Sequence, residues 1–403
     1  MTYRHLFIYC LLLVPVCGVF AQAPSPGQRP KIGLVLSGGG AKGLAHIGIL
    51  KAIDSAGLKI DYITGTSMGG IIGGLYAIGY SADSIEKLTR GIDWDLLLSN
   101  QSSMRSMIMD EKSEYGKYDV ELPWVNHWFR FSTGVIEGEE LWLKFSELFR
   151  PVYNIKDFSQ FSIPFKCIAT DISTGEAVVL DTGDIVTAVR ASMAIPSIFT
   201  AVEDGGKKLV DGGVVRNFPV KDVRAMGADI VIGSNVSGPL RSPDQVTNAL
   251  QVLLQVAFFR EAADTRTQIP LCNIYVSQPM EQYNMGNFGE ASQIVADGLA
   301  EGRLLYPRLK KLADSLNAIY GPEPISGDRL PAAHRVKISS YEINGLHHTN
   351  EGFFLQSMNL MTDHYYSADT LSHMVRRAFG TRYYNRINYA LHPLPDSGYR
   401  RLV

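Results

Sequence analysis

The sequence predicts an α/β protein with a mainly parallel central sheet, followed by a small α+β module. Three observations lead to this fold class. Strand patterns alternate with helical spacings over residues 31–320, and the first two strands each run directly into a glycine-rich turn and a helix. The pattern then changes after residues 321–333, a stretch rich in Gly and Pro. Strand–turn–helix units in series are typical of parallel sheets that helices cover.

The first two units define the sheet. Residues 31–36 form an apolar run typical of a buried strand, and residues 44–56 carry apolar side chains at helical spacing up to Gly57. A second strand is predicted at residues 59–63, and a second helix follows it. Further strands are predicted at residues 165–170, 177–180, 208–210, 229–234 and 273–276, and helical stretches at residues 248–263 and 291–316.

Residues 334–403, called the tail below, form a separate module with the predicted order βααββ. The expected elements are a strand at residues 336–343, helices at 350–361 and 367–380, a half-buried strand at 387–391 and a strand that begins at Tyr399. That last strand stops at Val403, before it could pair along its length. We therefore expect an open sheet edge near Tyr399 and an incomplete module.

Composition restricts the class of partner. The 403 residues have a formal net charge of −2, with 46% hydrophobic and 19% charged residues, which is typical of an ordinary globular protein. Without a basic field, no nucleic-acid partner is expected. Beyond the N-terminal segment, Cys167 and Cys272 remain, without the spacing of a metal site or a disulfide framework.

The N-terminus predicts export. A basic start, an apolar run at residues 6–20 and small residues around Ala21 have the layout of a secretory signal peptide. We place cleavage after Ala21, which gives a signal peptide at 1–21 and a linker at 22–30; an uncleaved anchor is the alternative. The expected location is the outer membrane, the periplasm, or the cell surface or medium.

The motif Gly65-Thr66-Ser67-Met68-Gly69 contains a candidate nucleophile. A serine between a strand and a helix, with glycines at both sides, matches the sharp turn that exposes a reactive hydroxyl in serine hydrolases. The following helix start would stabilise negative charge beside that hydroxyl.

A glycine run at residues 38–43 precedes this turn. Its sequence, Gly38-Gly39-Gly40-Ala41-Lys42-Gly43, formally matches a dinucleotide-binding pattern, but the next strand runs into the serine turn instead of ending on an acidic residue. Backbone N–H groups aimed at a developing oxyanion explain the run better. A tight turn without further function is the remaining alternative.

Asp211-Gly212-Gly213 supplies a candidate base at the end of a predicted strand. Within the predicted catalytic domain, a histidine base could come from His46 or His127, and neither follows Asp211 as a triad histidine of an α/β-hydrolase would. The sequence therefore favours a Ser–Asp dyad, with the carboxylate taking the serine proton directly.

The three motifs in this order resemble the patatin-like phospholipase family, over roughly residues 31–320. The resemblance implies a three-layer patatin-like fold with a mainly parallel sheet, and it assigns Ser67 as nucleophile, Asp211 as base and residues 38–40 as the oxyanion hole. Lys42 stands where Arg is frequent, and DGG replaces DGA. Asp171 has no catalytic role in this pattern and is interpreted as a structural carboxylate at a strand end. The motif glycines are Gly38, Gly39, Gly40, Gly43, Gly65, Gly69, Gly212 and Gly213.

The tail resembles a POTRA module, which in one bacterial architecture lies between a patatin-like domain and an outer-membrane barrel. The resemblance implies that such a barrel is a partner in the full-length chain. An aromatic cluster at residues 124–131 suits either a membrane interface or packing within a hairpin. Adjacent histidines at 347–348 cannot face one metal from a helix or a strand, so a loop is predicted there.

We therefore expect a serine acyl hydrolase that cleaves fatty-acyl esters of phospholipids or lysophospholipids at a membrane surface, with no metal or organic cofactor. Two alternatives remain. The first is a catalytically silent lipid-binding passenger of a POTRA-containing assembly or secretion protein. The second, suggested by the glycine pattern alone, is a nucleotide-binding enzyme.

Overall fold

The computed structural model describes residues 27–99, 124–125, 128–129, 134–238, 240, 242–248, 251–252, 255–256, 258–323, 335–381, 383–384, 386–394 and 399–403. The predicted signal peptide at 1–21, His127 and most of the predicted boundary at 321–333 lie outside these residues. The side chains of the aromatic cluster at 124–131 are also outside the described part.

Residues 32–320 contain the elements of the predicted hydrolase domain. In chain order these are β1 (Ile32–Leu36), α1 (His46–Ala56), β2 (Tyr62–Thr66), α2 (Met68–Ile78), α3 (Ala82–Arg90), α4 (Trp94–Leu97), β3 (Trp124–Val125), β4 (Trp128–Phe129), β5 (Gly134–Ile136), α5 (Glu139–Leu148), β6 (Phe165–Asp171), β7 (Glu176–Leu180), α6 (Ile185–Ser192), β8 (Ser197–Phe199), β9 (Val202–Asp204), β10 (Lys207–Asp211), α7 (Val220–Ala225), β11 (Ile230–Asn235), α8 (Phe259–Gln268), β12 (Ile274–Ser277) and α9 (Ala291–Tyr320).

The central sheet has the strand order β12-β11-β1-β2-β6-β10-β9, with β7 also paired to β6. Neighbours are parallel from β12 through β6, and β7, β9 and β10 join antiparallel. A mainly parallel α/β sheet was predicted, and the structure has one. Every residue of β1 is buried, as expected for a parallel strand with helices on both faces.

The strands β2 and β10 lie end to end along the same edge of β6, and this arrangement positions the site. β2 runs parallel to β6 and ends where Thr66 pairs with Ile168. β10 runs antiparallel to β6 and ends where Asp211 pairs with Ala169. Because β7 occupies the opposite edge of β6, β2 and β10 share one edge and approach each other from opposite directions. The carboxyl ends of β2 and β10 therefore face each other.

Glycines allow α9 to pack directly against α1. A Cβ on Gly48 would lie 1.8 Å from the Gly298 carbonyl oxygen, and a Cβ on Gly302 would lie 2.1 Å from that of Gly48. Such distances are impossible for a side chain, so the two backbones touch. Residues 38–43 are called the glycine loop below. Since α1 directly follows this loop, the contact between α1 and α9 holds the loop against the rest of the domain.

Some element boundaries differ from the sequence prediction. The second strand is Tyr62–Thr66 and not residues 59–63. Asp61 lies just before it and uses its side chain to accept the Ile32 N–H at the start of β1, at 2.8 Å. The stretch at 291–316 is one helix of 30 residues that continues through Pro307. The predicted helix at 248–263 lies partly outside the described residues, and the helix described in this region is α8.

The tail contains two helices packed on a four-stranded sheet. Its elements in chain order are β13 (Val336–Tyr341), α10 (Glu351–Met358), β14 (His364–Tyr366), α11 (Ala368–Phe379), β15 (Leu391–Pro393) and β16 (Tyr399–Leu402).

Three tail predictions were wrong. The short strand β14 between the helices was not expected, and residues 387–390 form no strand, since β15 begins at Leu391. The predicted open edge near Tyr399 is also absent, because β16 is central: it pairs parallel with β13 and antiparallel with β15. The backbone groups of β16 therefore find partners on both sides.

The tail packs against α5, and this contact is called the α5–tail junction below. Leu143 of α5 is 1% exposed and belongs to the same apolar cluster as the tail core. Arg376 of α11 contacts Glu140 at 2.8 Å and Glu147 at 3.3 Å, with the Arg376 and Glu140 side chains almost fully buried. The tail therefore shares an apolar cluster and a group of ion pairs with α5.

Among the described residues, no helix combines the length and the apolarity that a membrane span requires. Among the same residues, no group of three or more His, Cys, Asp and Glu side chains is arranged to hold a metal ion.

Candidate active site

Ser67 occupies the sharp turn between β2 and α2. Its backbone has φ 53° and ψ −127°, a conformation that residues other than glycine rarely adopt. The flanking glycines make the turn feasible, since a Cβ on Gly65 would lie 2.4 Å from the Gly69 carbonyl oxygen, and one on Gly69 would lie 2.3 Å from that of Leu36. The motif thus permits a close strand–helix approach that fixes the serine at the start of α2.

Ser67 and Asp211 are hydrogen-bonded, because they follow or end the two strands, β2 and β10, whose carboxyl ends face each other. The Ser67 Oγ donates to Asp211 Oδ2 at 2.7 Å. Both residues are nearly buried, with 5% and 4% of their surface exposed. In such a water-poor setting the pair interacts more strongly than it would in solvent.

The Asp211 carboxyl group is held at both oxygens. While Oδ2 accepts from Ser67, Oδ1 accepts from the Gly213 N–H at 2.7 Å. Gly212 is required here because a Cβ would lie 2.3 Å from the Ile168 carbonyl oxygen. Burial raises the pKa of Asp211 to about 6, and the hydrogen bonds from Ser67 and Gly213 act in the opposite direction. The carboxyl group is therefore mainly ionised at neutral pH and still basic enough to accept a proton.

The glycine loop lies directly over Ser67. A Cβ on Gly38 would lie 2.9 Å from the Ser67 Cβ, so no other residue fits at this position without displacement. Farther along the loop, Gly40 has a φ of 58°, and a Cβ on Gly43 would lie 2.5 Å from the Met68 Cβ. Lys42 follows on the same short helix, Gly40–Ala45.

The amide of Gly38, one of the predicted oxyanion donors, has a partner within the chain. Its N–H donates to Asn217 Oδ1 at 3.0 Å, and Asn217 Nδ2 donates back to the Gly38 carbonyl at 3.3 Å. This amide is therefore occupied. Within the described residues, the Gly39 and Gly40 amides donate to no other group. The loop donors that remain for an oxyanion are thus Gly39 and Gly40.

Ser192 supports the turn and was missed by the sequence analysis. Its Oγ accepts the Ser67 N–H at 3.0 Å and donates to the Ile168 carbonyl at 2.6 Å. The hydroxyl bridges the turn to β6 and fixes the orientation of the Ser67 peptide. A serine at the end of a helix carries no sequence signal for this contact.

Asn217 was also missed, although it follows Asp211 by six residues. Its side chain holds Gly38, and it also donates a hydrogen bond to the carboxyl group of Glu261 in α8. Glu261 is 8% exposed, accepts from Thr265 Oγ1 at 3.0 Å, and has a pKa raised by burial. The glycine loop is therefore positioned by side chains about 180 and 220 residues farther along the chain.

The other candidate residues lie outside this arrangement. His46 is fully buried between the Ser37 carbonyl and Ser234 Oγ, and burial lowers its pKa to about 4. Asp171 ends β6 and caps the Ser173 N–H at 2.9 Å. His347 and His348 lie in the loop between β13 and α10.

A family model described as patatin-like phospholipase matches residues 34–224 of the chain. This range contains Ser67, Asp211, Ser192 and Asn217. Lysophospholipase NTE1 from Kluyveromyces lactis is 27% identical over 313 residues, which is 72% of this chain and 20% of that protein. An uncharacterised NTE family protein from Mycobacterium bovis is 28% identical over 54% of this chain and 52% of its own length.

The chain spans about a fifth of the length of the NTE1 relative that it matches. Among solved structures, the chain is similar to VipD from Legionella pneumophila. The match covers 70% of this chain and 67% of the VipD chain, with 15% identity and a TM-score of 0.39.

Proposed function

We propose, on the premise that residues 34–224 of this chain belong to the patatin-like phospholipase family, that the protein hydrolyses fatty-acyl esters of phospholipids or lysophospholipids. The family match and the relatives named lysophospholipases support a lipid acyl hydrolase. The observation that carries the proposal is the 2.7 Å hydrogen bond between Ser67 Oγ and Asp211 Oδ2.

The proposed reaction has two steps. Asp211 takes the Ser67 proton as Oγ attacks the ester carbonyl, and it then passes that proton to the leaving alcohol, which leaves an acyl-serine. Water then attacks the acyl-serine as Asp211 takes its proton, and Asp211 passes that proton to the Ser67 oxygen as the fatty acid leaves. No histidine is needed, since a carboxylate with a pKa of about 6 is an adequate base near neutral pH.

Charge on the tetrahedral intermediates would be stabilised by the Gly39 and Gly40 amides and by the start of α2. Each well-placed donor lowers the barrier by roughly 2.7–4 kcal/mol. Because Asn217 holds Gly38, the loop is fixed before substrate arrives, and no reorganisation is needed during the reaction.

Fluorophosphonate labelling with peptide mapping tests the nucleophile. We expect label on Ser67, loss of label and of lysophosphatidylcholine hydrolysis in Ser67→Ala, and full labelling of Ser159→Ala, a matched change at an exposed serine. Labelled Ser67→Ala would overturn the assignment. A folded wild-type protein without label or hydrolysis would favour the catalytically silent lipid-binding passenger.

We further propose that the protein is exported, with the substrate reached at a membrane surface, and that the tail is a POTRA-like module associated with an outer-membrane barrel. The layout of residues 1–21 supports export. Two helices and the β13–β16–β15 arrangement support the module. N-terminal sequencing of mature protein from the native host should begin at Gln22, whereas intact Met1 in the cytosol would contradict export.

A further inference from the structure

A large cavity lies at the α5–tail junction. Its volume is about 540 Å³, and its walls combine side chains of α5, α6 and the tail. This volume lies within the range of roughly 300–1,000 Å³ that is typical of small-molecule sites. The apolar part of the lining includes Trp142 and Leu143 from α5 and Leu355, Met358 and Val375 from the tail helices, and polar side chains such as Ser146 and Asn344 make up the rest.

One buried cation lines this cavity. Arg150 is 5% exposed, and its Nη2 donates to the Tyr366 carbonyl at 3.3 Å. Within the described part of the chain, its Nη1 donates to no group, and no carboxylate lies within ion-pair distance. A buried guanidinium without a counter-charge is costly, because a desolvated charge needs a partner.

The acidic side chains around the cavity do not supply that partner. Asp184 is paired with Lys156 at 3.2 Å, and Glu342 with Arg401 at 3.3 Å. The Tyr153 and Tyr389 phenols lie near Arg150, but a phenol hydroxyl is not a carboxylate counter-charge. An anionic group in the cavity would therefore lie beside a positive charge that has no carboxylate partner among the described residues.

We propose that this cavity binds one fatty acid, with its carboxylate at Arg150 and its acyl chain along the apolar walls. A single-chain anion fits the single buried cation among the described lining residues, and its acyl chain fits the apolar side chains of the same lining. The site is separate from Ser67 and goes beyond the proposed function. It also holds whether or not Ser67 is the nucleophile.

The test uses the full chain carrying Ser67→Ala, so that no turnover intervenes. Radiolabelled palmitate is measured by equilibrium dialysis, and a diazirine palmitate is cross-linked and mapped to peptides. We expect saturable binding of one palmitate per chain and cross-links to α5 and the tail. Arg150→Met should weaken binding by roughly tenfold or more, since a charged hydrogen bond is lost.

Matched variants keep the result interpretable. Arg377→Met changes an exposed arginine of the tail and should bind palmitate like the parent. Leu355→Trp fills the cavity from a half-buried position and should abolish binding even if Arg150→Met does not fold. Hexadecanol should compete at least about tenfold less well than palmitate. Cross-links confined to peptides around Ser67, equal competition by hexadecanol, or unchanged binding by folded Arg150→Met and Leu355→Trp would overturn the proposal.

Discussion

Asp211 and Glu139 are both buried carboxyl groups, yet their surroundings differ. Asp211 accepts two hydrogen bonds at 2.7 Å, one at each oxygen, and its pKa is about 6. Glu139, at the α5–tail junction, accepts the Ile387 N–H at 3.2 Å on one oxygen, while its Oε1 has no partner within the described residues. Burial raises the pKa of Glu139 to about 8.

Burial raises the pKa of both carboxyl groups, and the two hydrogen bonds accepted by Asp211 keep its pKa below that of Glu139. Asp211 is charged and able to act as a base, whereas Glu139 is mainly protonated. The ionised Asp211 can accept a proton, whereas the protonated Glu139 can be buried in the contact between α5 and the tail without a counter-charge.

The largest expected effect is on Asp211. Asp211→Asn keeps the shape of the side chain and removes the proposed base, so kcat/KM for ester hydrolysis should fall by roughly 10²–10⁴-fold. Asp171→Asn is the matched control, because Asp171 is also a buried strand-end carboxyl group and should keep near-parental activity. Equal losses in the two variants, both folded, would show that the Ser67–Asp211 contact is not the catalytic one.

The next effect is on the junction. Leu143→Ala removes a side chain that is 1% exposed within the tail core and should lower the free energy of unfolding by about 2–5 kcal/mol. Limited proteolysis should then cut the tail faster, while the fluorophosphonate labelling rate of Ser67 stays the same. The control is Leu304→Ala, at a leucine that is 75% exposed. A parallel loss of labelling would show that the junction supports the catalytic turn.

The pH profile should reflect Asp211. Its base form disappears below a pKa of about 6, so kcat/KM should fall about tenfold for each pH unit below that value and level off above it. Measurement with a neutral ester substrate avoids titration of the substrate. A profile that is flat between pH 4 and pH 6 would exclude a base with this pKa.

A smaller effect is expected for Glu139. Since its folded-state pKa of about 8 lies above the unfolded value of 4.5, its stabilising contribution is present below pH 4.5 and is lost as pH rises toward 8. The slope contributed by this group is at most about 1.4 kcal/mol per pH unit. Glu139→Gln should flatten that part of the stability curve in denaturant unfolding. An identical curve for the variant would place the titration on another group.

The site motifs could be predicted from the sequence because each contains glycines at positions where a side chain would not fit. Gly65 and Gly69 are needed where β2 and α2 touch, and Gly212 is needed beside Ile168. The Ser67–Asp211 contact depends on the register of two strands 144 residues apart, which no local pattern encodes. For the same reason Ser192 and Asn217 were not identified.

The tail shows the limit of local patterns more clearly. Its two helices were predicted because their caps are local, as at Asn350 and Ser367. The central place of β16 was not predicted, because alternation of apolar residues says nothing about which strand pairs with which. The α5 helix was likewise missed, and its partner surface comes from residues more than 200 positions away.

The long sequence separations in the site have a consequence for the newly made chain. Ser67 needs Asp211, and Gly38 needs Asn217, which lies 179 residues later. Contacts so distant in sequence form late in folding, since the loop they close is long. A nascent chain that has exposed its serine to the cell still lacks the base and the fixed loop. We therefore expect the serine to be chemically inert during synthesis and to become reactive when the sheet closes around β6.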